Sequence, residues 1–196
     1  MTTRTRETFH HGDLRAALVS AARAELTRVG VSEFSLRAVV RAVGVAPSAV
    51  YHHFSDRDAL LGEVATDGFR DLAKDMEAAV ERAPGPLERV EATGRAYLVF
   101  AAEHPALFDL MFAARDREAR PTFEDGRPGP AQVLARELDR CVEVGVVRQQ
   151  VRATAEDLLW PAVHGRALLE REGRLSADEA SRTRFFSAVR ASLGAA

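Results

Sequence analysis

An all-α fold of about nine helices, with a small amino-terminal head on a larger body, is predicted by three features of the sequence. Apolar residues recur at intervals of three and four along most of the chain. Strand signals are nearly absent: β-branched residues do not alternate with polar ones, and no Asn-Gly or Asp-Gly pair is flanked by such runs. Gly, Pro, Ser and Asp fall where these helices must start or stop.

The elements follow in order. From Asp13 to Val29, Leu14, Ala17, Leu18, Ala21, Ala22 and Leu26 keep helical spacing with only Glu25 off the pattern, and Gly30 supplies the stop. Ser35 is placed as N-cap of a second helix over Leu36–Val43, with Phe34 and Val39 at the positions of a hydrophobic staple. Gly44 suits the positive φ of a tight turn, and Pro47 suits the first position of a third helix reaching about His53. Ser55 or Asp56 caps a long fourth helix with a stripe from Leu60 and Leu61 through Val64, Ala65, Phe69, Leu72 and Met76 to Val80, ended by Pro84-Gly85-Pro86. That helix begins in the head and is expected to run into the body as one rod.

The body continues with helices at about Leu87–Glu103, closed by His104-Pro105, and at Ala106–Arg115. A loop rich in Pro and Gly is expected from Arg120 to Pro130, then a helix from Gln132 to Val144 stopping at Gly145. Thr154, with Asp157 three residues on, is expected to open an eighth helix, kinked at Pro161 and ended by Gly173; Ser176 and Glu179 form a capping box for a ninth, to Leu193. Leu158, Ala162, Leu169, Phe185, Ala188 and Val189 on the last two helices invite packing against a twin pair, hence a homodimer.

Composition narrows the function classes. In 196 residues, 46% are hydrophobic and 29% charged, enough apolar surface to close a core and too much for disorder as the main state. The single Cys141 rules out an intrachain disulfide, and no signal-like or membrane-length apolar run occurs, so a cytoplasmic, nucleoid-associated protein with no membrane partner is expected. The net charge of −2 hides an asymmetry: residues 1–54 hold seven Arg against four acids, and residues 55–196 hold 20 basic against 25 acidic. Four of the six histidines, His10, His11, His52 and His53, also lie in the head. A basic head on an acidic body points to nucleic acid.

No Gly-rich phosphate loop, His-Glu-x-x-His or Gly-x-Ser-x-Gly occurs, and Cys141 has no evident base partner, so no enzyme is expected. His52 and His53 are adjacent, about 100° apart on a helix, with no second ligand pair four residues away; neither metal nor cofactor is expected.

Two short helices joined by Gly44-Val45-Ala46 match a helix-turn-helix. The DNA major groove, ~12 Å wide, admits one helix whose outward side chains are small or hydrogen-bonding, as Ser48, Ala49, Tyr51 and His52 are. Arg37 carries a planar fork suited to a guanine edge, a contact worth ~1 to 3 kcal/mol of discrimination. Ser35, Ser48, Tyr51 and Arg57, at helix starts and edges, suit phosphate oxygens. In the body, Tyr97, Phe100, Phe108, Met111, Phe112, Trp160 and His164 can line a pocket or simply pack a core, and both readings stand.

From Gly12 to Leu61 the pattern is an alanine-rich helix, Gly30, Phe34-Ser35-Leu36-Arg37, Gly44-Val45, Tyr51-His52-His53-Phe54 and Arg57-Asp58-Ala59-Leu60. It resembles the DNA-binding domain of TetR-family transcriptional regulators, over about a quarter of the chain. The lead Phe9-His10-His11-Gly12-Asp13 and the body segments Tyr97–Ala101, Leu110-Met111-Phe112 and Trp160-Pro161-Ala162-Val163-His164-Gly165 resemble one subgroup of that family. The resemblance implies that Ser35, Arg37, Ser48, Ala49, Tyr51, His52 and Arg57 face DNA, that His53 touches a phosphate and that Phe54 is core. Two departures stand out. Ala46 replaces the family's usual Ser or Thr, removing a cap worth ~0.5 to 2 kcal/mol, and Arg57 stands where the family favours Lys nearby.

The expectation is thus a DNA-binding head over residues 1–57 and a ligand-binding and dimerisation body over 58–196. It would be a repressor released from a palindromic DNA operator by a small apolar or amphipathic effector, with activation as the other sign of control. The competing reading is a helical ligand-binding or protein-interaction module whose head, lacking a cap at Ala46, no longer engages DNA. Salt-dependent binding to duplex DNA separates the two.

Overall fold

The computed structural model describes residues 11–113 and 128–194. His10 and most of the expected loop over 120–130 lie outside the described residues, and of His11 only the backbone is described. Among the described residues the chain forms nine helices and no strand. They are α1 (His11–Val29), α2 (Leu36–Val43), α3 (Pro47–Val50), α4 (Arg57–Arg82), α5 (Pro86–Glu103), α6 (Pro105–Phe112), α7 (Pro130–Glu143), α8 (Gln149–Arg171) and α9 (Glu179–Ser192). None is long and apolar enough to cross a membrane.

These helices fall into two compact units. The first runs as far as Gly68 and includes the segment from Ala106 that holds most of α6; the second holds Phe69–Pro105 and helices α7 to α9. Helix α4 therefore supplies its first turns to one unit and its last turns to the other.

In the first unit, Leu18, Ala22 and Leu26 of α1, Val39 of α2 and Leu60, Leu61 and Val64 of α4 are fully buried, so the apolar stripes of these helices are their packed faces. Gly30 (φ 76°) and Gly44 (φ 78°) take the left-handed conformation that ends α1 and α2. Gly68 of α4 allows a close approach of α6: a Cβ there would stand 2.7 Å from the Met111 sulfur.

In the second unit α5 packs against α7, α8 and α9 around Leu98, Phe100, Leu138, Leu159 and Phe186. Buried charge is paired. Glu137 of α7 is fully buried and receives Arg136 at 3.0 Å and Arg140 at 3.0 Å. Glu170 of α8 accepts from Arg166 Nε at 2.6 Å and from Arg182 Nη2 at 2.7 Å.

Local starts differ from expectation in α8 and in the α9 cap, while at α4 the second of the two expected caps is the one used. The α4 cap is Asp56, whose Oδ1 accepts from the Ala59 N–H at 2.8 Å, while Ser55 donates to the other carboxylate oxygen at 3.0 Å. Helix α8 begins at Gln149, not Thr154, because Arg152 within its first turns pairs with Asp139 at 2.6 Å and Glu156 at 2.8 Å, fixing that segment as helix. Thr154 lies inside it, its hydroxyl donating to Val151 O at 3.3 Å. The α9 cap is Asp178, which accepts from the Ser181 N–H at 2.7 Å; Ser176 instead accepts from the Asp178 N–H at 3.2 Å and donates to its carboxylate. A further difference, the early end of α3, bears on the site.

Candidate nucleic-acid interface

Ser35, in extended backbone, caps α2: its Oγ accepts from the Ala38 N–H at 3.4 Å. After the left-handed Gly44 comes Ala46, which has the backbone of a cap (φ −68°, ψ 144°) but no side-chain acceptor. Helix α3 then lasts only from Pro47 to Val50, where the sequence suggested a helix reaching His53. Beyond Val50 the chain closes through i→i−3 bonds, His52 N–H to Ala49 O at 3.4 Å and His53 N–H to Val50 O at 3.0 Å, before Phe54 N–H returns to Val50 O at 2.9 Å. An uncapped start followed by three weak helix formers, Tyr51-His52-His53, accounts for the tighter turn.

Ser35, Arg37 and Tyr51 line one open hollow of about 960 Å³, together with Arg41 and Pro47. Tyr51 is 60% exposed, an unusual position for a large ring with no external partner. Ser48 and His52 are exposed on the same short turn; Ala49 and His53 are half-buried. Arg37 and Arg41 are exposed, and among the described residues neither makes an ion pair. Arg41 was not singled out from the sequence, although its i,i+4 spacing from Arg37 puts both on one helix face. Phe54 is buried, 5.0 Å beneath the Arg15 guanidinium, which pairs with Glu63 through two bonds of 3.0 and 2.9 Å. Arg57 is placed otherwise than its expected phosphate role suggests: its Nη2 donates to Val31 O at 2.8 Å and its guanidinium lies 5.3 Å from the centre of the Phe34 ring.

In the second unit, Tyr97 and Trp160 line a cavity of about 30 Å³ with Met76, Gly94, Leu159 and Phe186. Their rings meet edge to face at 5.5 Å, and the Tyr97 hydroxyl shares a 2.7 Å hydrogen bond with His164 Nδ1. Burial pushes the Tyr97 hydroxyl well above its ordinary range and the His164 imidazole below 6.5, so both are neutral near pH 7. Phe100 is fully buried against His104, ring centres 4.8 Å apart, and is not a wall of this cavity. Phe108, Met111 and Phe112 belong to α6 in the first unit, the two phenylalanine rings 4.7 Å apart. The structure thus gathers Tyr97, Trp160 and His164 and leaves the other four expected pocket residues elsewhere. Gly94 and Phe186 were missed; a glycine in mid-helix was the available signal of close approach.

Residues 18–64 match the profile described as bacterial regulatory proteins, tetR family, and residues 90–193 match that described as tetracyclin repressor-like, C-terminal domain. The chain belongs to the TetR family. Among TetR-family relatives, an HTH-type transcriptional regulator of Mycobacterium tuberculosis is 33% identical over 103 residues, 52% of this chain and 44% of that protein. The match thus spans less than half the length of that curated relative. A protein of unknown function from Rhodococcus sp. RHA1 shares the TetR fold with a TM-score of 0.77 and 27% identity, covering 96% of this chain and 99% of the other. A TetR variant from Acinetobacter baumannii, solved in complex with minocycline, has a TM-score of 0.61 and 16% identity, covering 95% and 96%.

Proposed function

We propose that this TetR-family chain is a ligand-responsive transcriptional repressor that binds a palindromic DNA operator as a homodimer and acts in the cytoplasm at the nucleoid. The observation that carries the reading is the single hollow that holds Ser35, two exposed arginines without ion pairs, Arg37 and Arg41, and the exposed Tyr51. In this reading Arg37 reads a base edge, Ser35, Ser48, Tyr51 and His53 meet phosphate, and Ala49 and His52 flank the bases. Dimerisation is supported by apolar side chains left open on α8, with Leu158 at 49% and Leu169 at 39% exposure, beside the half-buried Phe185 of α9.

The effector reading rests on the second unit. A cavity of about 30 Å³ holds roughly one water, whereas small-molecule sites measure ~300 to 1,000 Å³, so an effector must part its walls. One wall is Met76 of α4, the helix whose first turns carry Arg57 and Glu63 in the head unit. A ligand that displaces Met76 acts on the head through that shared helix, and a coupling of ~1 to 3 kcal/mol loosens DNA about 5- to 150-fold. Apolar walls with a neutral Tyr97–His164 pair at the edge suit an apolar or amphipathic effector, an aromatic one included; the Acinetobacter variant was solved in complex with minocycline.

A second reading, a helical binding module with a degenerate head, is favoured by the four-residue, uncapped α3. Titration of a mixed-sequence duplex at increasing salt decides between them. A working head gives affinity that falls linearly on a log–log plot; a degenerate head gives no such binding at any salt.

A further inference from the structure

We infer that Arg57 is a positioning residue, which sets the geometry of DNA reading from behind and does not itself hold a phosphate. The inference rests on the head's proposed role in DNA binding and concerns how that role is divided among its arginines.

The guanidinium of Arg57, on a side chain 38% exposed, is engaged inside its own unit through Nη1, Nη2 and a ring contact. Nη2 donates to Val31 O at 2.8 Å in a partly buried bond, the planar face lies over Phe34 at 5.3 Å, and Nη1 donates to Asp58 Oδ1 at 3.3 Å. Asp58 is itself 69% exposed, so the outer side of the guanidinium is flanked by a carboxylate that repels a phosphate. To reach DNA, Arg57 would have to give up a charge-assisted bond to a carbonyl and a ring contact. Arg37 and Arg41, exposed and without ion pairs among the described residues, have nothing to give up.

The atoms that Arg57 holds lie in the turn that launches α2. Phe34 immediately precedes Ser35, the α2 cap, Val31 lies four residues before it, and Arg37 is the second residue of that helix. Arg57 therefore ties the start of α4 to the entry of α2 and fixes the direction from which Arg37 leaves the surface. The job needs a flat, forked cation: a lysine can supply charge but cannot lie on the ring and reach the carbonyl together.

The test compares the full chain with Arg57→Gln and Arg57→Lys, each held below its own unfolding midpoint, on two labelled duplexes. One is the duplex enriched by the wild-type protein from a random-sequence library, the other a scramble of equal length; salt runs from about 50 to 200 mM. Both variants are expected to lose at least about fivefold in the ratio of the two affinities, with the salt slope on the scrambled duplex unchanged. A slope reduced by about 0.9 in Arg57→Gln and restored in Arg57→Lys identifies a phosphate contact and overturns the inference. An unchanged ratio in both variants reduces Arg57 to a stability role and overturns it as well. Wild-type protein with no salt-dependent binding to either duplex overturns the functional reading, and this inference with it.

Discussion

The Tyr97 hydroxyl lies 2.7 Å from Nδ1 of His164, joining the middle of α5 to α8 beside the Trp160 ring. Burial keeps His164 less basic in the folded chain than its ordinary 6.5. Above that value neither state binds the proton and stability carries no penalty. As pH falls below about 6.5 the unfolded chain takes it up first, so stability drops until the lower folded value is passed. His164→Gln is expected to flatten this part of the profile. Urea midpoints of both proteins at about pH 7.5 and 5.5 check it; parallel shifts in the two would count against His164 as the titrating group.

Glu170 is the shared acceptor for two arginines, Arg166 and Arg182, and its side chain and that of Arg166 are only 5% and 7% exposed. Arg166 also donates to Ser176 O and Ser181 Oγ, both at 3.1 Å, so it latches the α8–α9 turn. Glu170→Ala strands a buried guanidinium and should cost about 3 to 5 kcal/mol. A thermal midpoint lowered by less than about 6 °C would show that the pair is not behaving as buried.

Gly94 faces Phe186 so closely that a Cβ would meet Cε1 at 2.7 Å, and Phe186 is almost wholly buried. Gly94→Ala is expected to destabilise despite a gain of about 1 kcal/mol in helix propensity, because the added methyl forces the buried Phe186 ring out of its packed position. With Phe186→Leu in place the same substitution should become neutral or favourable. Chemical denaturation of the four proteins in this cycle measures the coupling.

Ala46 already has the extended backbone of an N-cap and is exposed, so a hydroxyl there meets no obstacle. Ala46→Ser should add about 0.5 to 2 kcal/mol of stability by accepting an orphan N–H at the start of α3. An unchanged thermal midpoint would mean that water already satisfies those groups as well.

Much of the fold was legible because helix stripes and stop signals are local. The stripe of Leu18, Ala22 and Leu26, the Ser35 cap and the Gly44 turn follow from spacing and side-chain chemistry alone, and each stands where that chemistry puts it. What local patterns cannot express is which element covers a given face. Glu137 reads as a polar helix position, yet two arginines of its own helix and the surrounding packing bury it completely. Phe108 and Trp160 look alike as pocket aromatics but lie in different units, since the partner of α6 is decided by the close approach at Gly68. The α9 cap was misplaced because Ser176 was chosen over Asp178, two residues on, whose carboxylate, a stronger acceptor, takes the helix start. Arg37 and Tyr51, singled out by residue type, line one hollow, whereas the inward engagement of Arg57 depends on a carbonyl 26 residues away.

DNA reading by the α2–α3 surface is open to one decisive experiment, the selection of binding sites from random duplexes by the full chain. An enriched palindrome of two half-sites with centres about 10 base pairs, or a multiple, apart is expected. Repeating the selection with Arg37→Ala should blur one base position in each half, while Tyr51→Phe weakens all sites alike without changing the motif. A wild-type chain that enriches nothing, or an Arg37→Ala chain that returns the same motif with equal sharpness, would contradict it.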